Sequence, residues 1–218
     1  MKKIVVFCDI KDSFFQKYIP ILKKKIQKSY KFYFFKNYDY QKINCDVAFY
    51  ISCRKKILNK HIKKNKINVV VHPSKLPTGK GSGIVSWSIL EKKKKIWISF
   101  FKPDLKKFDS GCIYLQDYFL LKGTELCDEI RRKQALKTIE MVQEFIDNAK
   151  AHKIKCKPQK NNYRSKFYPI RKPEDSEIKI NKNILQQINL LRVCDNKRYP
   201  AFFYYSGKKY KIKIYDFK

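Results

Sequence analysis

The chain has 218 residues, 44% of them hydrophobic and 15% aromatic, enough apolar material for the core of one ordinary domain and too much for an intrinsically disordered chain. Lys and Arg number 51 against 19 Asp and Glu, a formal net charge of +32, which at face value points to nucleic acid or an acidic membrane surface. Only seven of the cations are Arg (54, 131, 132, 164, 171, 192, 198), the side chain best shaped for bidentate contacts to phosphates and bases, so Lys reads as a solvated filler set by A/T-rich coding and nucleic acid is not expected as a partner.

Taken in order, residues 4–7 (IVVF) form an apolar run expected to be a strand buried on both faces, as in a parallel sheet. Asp12 or Ser13 caps a following helix, with Phe14, Phe15, Tyr18, Ile19, Leu22 and Ile26 at helical spacing and Pro20 expected to kink it. Residues 32–35 and 46–52 predict the second and third strands, 55–63 a short helix, and 67–71 a fourth strand ending on His72-Pro73. The next twelve residues, HPSKLPTGKGSG, hold two Pro and three Gly and are expected to be loop. Trp87 starts a helix through residue 90, 96–101 is a strand, 104–111 (DLKKFDSG) a turn, and 112–116 another strand. Residues 125–149 predict the longest helix, with Leu126, Ile130, Ala135, Ile139, Val142 and Ile146 on one stripe. Residues 151–170 read as a basic linker, 183–192 as a short helix, and 201–205 with 210–215 as a hairpin turning at Ser206-Gly207. Short strands alternating with helices imply an α/β fold with a mostly parallel sheet.

Seven cysteines without a CxxC are expected to be reduced and mostly buried thiols, and no metal site is readable. The apolar run after Met1 is too short for a signal peptide and nowhere do 18 apolar residues run together, so the expectation is a cytoplasmic protein with no membrane segment.

In open α/β sheets the working site lies at the carboxyl ends of the strands. Loops 52–56, 72–83 and 104–111 qualify. A strand-end His followed by Pro and a glycine-rich loop suits proton handling beside an anionic ligand, although such a His is also an ordinary structural residue and TGKGSG lacks the Walker A frame. Asp109, across a helix and a strand, could hold the imidazole and raise its pKa, or could simply be a turn residue. Cys53 as a nucleophile is a weaker idea, because His61 is separated from it by the intervening short helix.

HPSKLPTGKGSG, then W-x-I-L, then F-x-x-x-L-x-x-x-D-S-G-x-I-Y-L-Q, resemble the 10-formyltetrahydrofolate-dependent formyltransferase family collinearly from His72 to about Phe145. RKPEDSEI (171–178) and LLRVCDNKRYPAFF (190–203) resemble the extension of its methionyl-tRNA and sugar N-formyltransferases. The resemblance implies a Rossmann-like formyltransferase fold: residues 1–150 as catalytic domain, with a folate-binding part over 1–72 and catalytic loops over 72–111, then a linker and C-terminal extension over 151–218 with a short helix and β-hairpin. It implies transfer of a formyl group from 10-formyltetrahydrofolate to an amine, leaving tetrahydrofolate, with no metal.

His72 matches the family's catalytic His, as oxyanion donor and proton relay, and Asp109 its catalytic Asp. The family's Asn two residues before the His is Val70 here; Asn68 lies too far back along the strand, so Ser74, Lys80 or the extension would have to supply that hydrogen bond. The pterin-binding loops map to Ser52, Cys53, Arg54, Leu76, Asp104 and Asp109. Ser74, Lys75, Lys80 and Trp87 are expected on the acceptor side, with Arg171 or Arg192 as further phosphate candidates. The length of the chain leaves no room for the C-terminal barrel of methionyl-tRNA formyltransferases, so the expected acceptor is a nucleotide-linked amino sugar made for surface polysaccharide. The alternatives are a methionyl-tRNA formyltransferase-like enzyme and a binding protein whose chemistry was altered through Val70. Tyr199 and residues 202–205 make an aromatic arm expected to form a homodimer contact or to stack a nucleobase.

Overall fold

The computed structural model describes residues 1–160 and 165–217. Residues 161–164, within the expected linker, and Lys218 lie outside the described residues. The first strand, β1 (Lys3–Phe7), is followed by helix α1 (Ile19–Ile26), strands β2 (Lys31–Phe35) and β3 (Cys45–Ile51), helix α2 (Asn59–Ile62) and strand β4 (Asn65–His72). Next come β5 (Gly79–Gly81), α3 (Ile84–Leu90), β6 (Lys95–Phe101), β7 (Ile113–Leu120) and the long α4 (Cys127–Lys150). The chain ends through β8 (Lys166–Tyr168), α5 (Ile184–Val193), β9 (Ala201–Tyr205) and β10 (Lys208–Ile212).

Six strands form one sheet in the order β2-β1-β3-β4-β6-β7. The first four are parallel, whereas β6 runs antiparallel to β4 and β7 antiparallel to β6. Apolar side chains on both faces of β1 explain its place: Ile4 and Val6 join the main core with Phe49, Phe100, Val142 and Phe145, and Val5 and Phe7 pack on the other face with Tyr38 and Tyr50. The stripe on α4 is the wall of the main core, with Ile130, Ala135, Ile139, Val142 and Ile146 all buried. Among the described residues no helix is long and apolar enough to cross a membrane.

Several local expectations are corrected. Pro20 kinks nothing: a 3-10 turn (Phe14–Tyr18), capped by Ser13 Oγ accepting from Phe15 N, comes first, and Pro20 sits in the first turn of α1, where its missing N–H has no partner to lose. The helix expected over 55–63 shrinks to α2, because Asp9 Oδ2 accepts Lys55 N at 2.8 Å and Lys55 O accepts the Tyr38 hydroxyl at 3.1 Å, which keeps the preceding segment out of the helix. Trp87 lies inside α3, which begins at Ile84.

The glycine-rich stretch holds a strand, β5, paired in parallel with β8 from the expected linker. The glycines make this possible: a Cβ on Gly81 would stand 2.1 Å from Tyr168 O. The cysteines are not all free either. Cys112 and Cys156 form a disulfide across 44 residues, while Cys8, Cys45, Cys53, Cys127 and Cys194 are free. At the C-terminus, β9 and β10 pair as an antiparallel hairpin turning through Ser206 and Gly207, both at positive φ, the backbone that suits a two-residue turn between twisted strands.

Candidate active site

Because β1, β3 and β4 are parallel, their carboxyl ends meet at one edge of the sheet, and the loops after them (residues 8–13, 52–58 and 73–83) share that edge. Two cavities open there. The larger, about 510 Å3, is lined among others by Ser52, His72, Gly83, Arg131, Arg171 and Arg198. The smaller, about 140 Å3, is walled by Val70, Phe101, Leu105 and Phe108 together with Asp104 and Asp109. Cys53 and Arg54 line both.

His72 and Asp109 meet where the cavities approach each other. His72 Nδ1 stands 3.5 Å from Asp109 Oδ1, and His72 Nε2 is 3.2 Å from Gly79 O. The side chain is 9% exposed and its ring is flanked by two acceptors, so a singly protonated imidazole can serve only one of them. Burial disfavours the imidazolium and holds the His72 pKa below its ordinary value, against the upward pull of Asp109 and of the Gly79 carbonyl. The sequence led to the opposite sign; the carboxylate does act upward, but desolvation outweighs it. Asp109 is fixed in turn: its Oδ2 accepts Gly81 N at 2.8 Å, and its backbone sits at a φ of +48°, a left-handed conformation uncommon outside glycine and Asn/Asp.

The residues expected to contact the donor divide. Ser52, Cys53 and Arg54 are at the cavity walls, and Asp104 shapes the smaller one, accepting Lys106 N at 2.8 Å and the Ser110 hydroxyl at 3.1 Å. Cys53 Sγ donates to Phe7 O at 3.3 Å, and burial pushes its thiol well above the usual range, which removes it as a nucleophile. Leu76 is buried beneath the loop, outside both cavities, with its N–H donated to Ser99 Oγ.

The acceptor-side residues mostly point elsewhere. Ser74 donates its hydroxyl to Gly79 O at 2.5 Å, Lys75 lies 4.5 Å from the Trp97 ring centre, and Lys80 belongs to β5, so none of the three lines a cavity. Trp87 donates Nε1–H to Pro169 O at 2.9 Å, which ties α3 to the returning chain. Arg192 is buried against Glu125, donating Nε–H to its carbonyl at 3.0 Å, whereas Arg171 lines the larger cavity. Asn68, bonded to the Tyr50 hydroxyl at 2.9 Å and to Ile62 O at 3.1 Å, is occupied in the core.

Sequence reasoning missed the clasp that arms the cleft. Asp195 accepts from Arg131 Nη1 at 2.7 Å and from Arg198 Nε at 2.8 Å, and Arg198 Nη1 donates to Asp12 O at 2.5 Å, joining the C-terminal region to the loop after β1. A signal for it was present. Arg is scarce in this chain, yet Arg54, Arg131, Arg171 and Arg198 all line the larger cavity, alongside only two lysines, Lys11 and Lys172. Where Lys serves for bulk charge, the retained guanidinium marks places that need a planar, multidentate cation.

No protein-family profile matches the chain. In sequence it is similar to methionyl-tRNA formyltransferase from Thermotoga neapolitana, 26% identical over 142 residues, 65% of this chain and 44% of that protein. It is also similar to GDP-perosamine N-formyltransferase from Brucella melitensis, 29% identical over 84 residues, 38% of this chain and 31% of that protein. The matches therefore span less than half the length of these curated relatives. In fold it superposes on methionyl-tRNA formyltransferase from Clostridium thermocellum with a TM-score of 0.79 at 22% identity, over 100% of this chain and 94% of that one.

Proposed function

The chain belongs to the formyltransferase family, and from that premise we propose that it transfers a formyl group from 10-formyltetrahydrofolate to the amine of a nucleotide-linked amino sugar, a step in making surface polysaccharide. The observation that carries the reading is the His72–Asp109 pair, with His72 on the wall of a guanidinium-lined cleft and Asp109 on that of a small apolar pocket. In this reading residues 1–150 are the catalytic domain and 151–218 the extension that completes the cleft.

The smaller cavity fits a flat heterocycle: Val70, Phe101, Leu105 and Phe108 give apolar walls, and Arg54, Lys55, Asp104 and Asp109 are among the polar residues that line it. When bound, the donor supplies the formyl carbon that the amine attacks. His72, kept neutral by burial, carries a single ring proton; with that proton on Nε2, the N–H turns from Gly79 O toward the formyl oxygen as negative charge develops there. Asp109 takes the proton that the attacking nitrogen must lose and, once protonated, orients the ring by donating to Nδ1. Val70 offers no hydrogen bond, and Ser74 is engaged with Gly79 O, so the load on His72 is heavier than in relatives with an Asn. Arg54, Arg131, Arg171 and Arg198 supply the charge for an anionic acceptor, and a cleft of about 510 Å3 suits a small molecule. The terminal hairpin exposes Tyr204 and Tyr205, one on each of its faces, which supports a contact between two copies that sedimentation of the intact protein tests.

A second reading, transfer to charged methionyl-tRNA, is favoured by the curated relative from Thermotoga neapolitana and by the net charge of +32. Incubating the protein with 10-formyltetrahydrofolate and either dTDP-, UDP- and GDP-linked amino sugars or methionyl-tRNA, and following release of tetrahydrofolate, separates the two. Turnover with a nucleotide sugar is the expected result. Turnover confined to methionyl-tRNA, with an affinity that falls steeply with salt, replaces the acceptor and keeps the reaction. No turnover and no donor binding leave the reading of a binding protein altered through Val70.

A further inference from the structure

The turn that carries Asp109 is itself held by a strap, residues 156–159, drawn from the segment after α4. Ile113 N donates to Lys157 O at 2.7 Å and Lys157 N returns to Ile113 O at 2.8 Å. Two residues further along, Gln159 Nε2 donates to Asp109 O at 3.3 Å and to Gly111 O at 3.0 Å. Cys112, three residues after Asp109, is bonded to Cys156 with the two Cα atoms 5.4 Å apart. The turn is tightly built: Asp109 sits at φ +48°, and a Cβ on Gly111 would stand 2.1 Å from Lys102 O. An uncommon backbone conformation persists where its surroundings over-determine it, and here the strap supplies contacts to four of the five residues from 109 to 113.

We propose that Gln159 is a positioning residue for Asp109, and that the Cys112–Cys156 bond keeps Gln159 in register, so that the thiol–disulfide state of this pair sets how well Asp109 faces His72. The inference rests on the reading of Asp109 as the working partner of His72. Cys156 is exposed and Cys112 half-buried, so a small thiol can reach the bond. With a dithiol such as dithiothreitol, one thiolate attacks a sulfur of the disulfide and forms a mixed disulfide. The second thiol then displaces the protein sulfur. The S–S bond is reduced to two thiols by two electrons and two protons, and the dithiol is oxidised to its cyclic disulfide.

The test is the titration of His72 followed by NMR of its ring C–H, in a chain with three histidines. The negative charge on Asp109 acts upward on the imidazole, so Asp109→Asn moves the midpoint down and sets the full displacement. Reduction of the wild-type protein and Gln159→Leu are each expected to move it down by at least half of that displacement. In formyl transfer both are expected to lower kcat at least about tenfold, toward the roughly 100-fold that a 1 Å misplacement can cost, with KM for the acceptor unchanged. Cys112→Ser/Cys156→Ser is expected to behave like the reduced protein and to stop responding to dithiothreitol. A midpoint unmoved by reduction and by Gln159→Leu, in a protein where Asp109→Asn does move it, overturns the inference and leaves the pair standing. A midpoint unmoved by Asp109→Asn removes the pair itself, and the inference with it.

Discussion

In residues 1–72, β1 and β3 are buried on both faces and, with β2 and β4, pair with one another, and most of the side chains on β1 and β3 are apolar. The described residues of 151–217 build a small apolar cluster of their own around Leu191, Cys194 and Ala201, and polar contacts tie them back: β8 to β5, Lys157 to Ile113, Trp87 to Pro169, and the Asp195 clasp to Arg131 on α4 and, through Arg198, to Asp12. The first region builds the sheet edge on which chemistry can sit. The second brings half of the cleft's cations to it, Arg171, Lys172 and Arg198. Stability and acceptor binding should therefore separate, the former answering to the parallel half and the latter to the returning chain.

The strongest way to break that contrast is a cavity in the parallel half. Phe49→Ala, at a side chain packed against Phe100 and Phe145, is expected to cost about 4 kcal/mol in denaturant unfolding, with the whole domain lost in one transition. Asp195→Ala removes the common acceptor of two guanidiniums at a site 8% exposed, and about 3 kcal/mol is expected. Its distinguishing mark is weakened acceptor binding in whatever protein remains folded; an unaltered acceptor affinity there would mean that the clasp does not arm the cleft.

Acid gives a gentler separation. Burial of Glu125 acts upward on its carboxyl, but Lys133 and the backbone N–H groups of Lys122 and Gly123 outweigh it and hold the pKa at about 2. A carboxyl with a depressed folded pKa contributes stability above its unfolded value near 4.3, and the contribution is lost as pH falls toward 2. Glu125→Gln is accordingly expected to lower stability at neutral pH by roughly 2 kcal/mol and to flatten the acid limb of a stability–pH curve. Smallest is a gain. Val70→Asn, at the wall of the smaller cavity, is expected to raise kcat about tenfold by adding a donor near the formyl oxygen, less than the roughly 100-fold or more that a fully preorganised donor contributes.

The parallel half was legible because its signals are local: an apolar run such as IVVF permits few environments other than the middle of a parallel sheet. The stripe on α4 was legible for the same reason. The acceptor side was not. Ser74, Lys75 and Lys80 share a loop with the cleft-lining Gly81 and Gly83, yet their side chains turn to Gly79, to Trp97 and away from either cavity, a matter of rotation within the loop that spacing does not encode. β8 and the Cys112–Cys156 bond were hidden in a basic, apolar-poor segment because their partners lie 44 residues or more away in sequence and carry no periodic signal. The scarcity of Arg was the one compositional clue that reached the cleft, and it reads as such only once Lys has been set aside as filler.

The central claim is that His72 and Asp109 together perform the transfer. It is tested most directly by the rate of tetrahydrofolate release at saturating 10-formyltetrahydrofolate and acceptor, measured for the wild-type protein, His72→Ala and Asp109→Asn under identical conditions. The account predicts a loss of roughly 100-fold or more in each variant, with the fold retained by circular dichroism. Wild-type rates in both folded variants would contradict it.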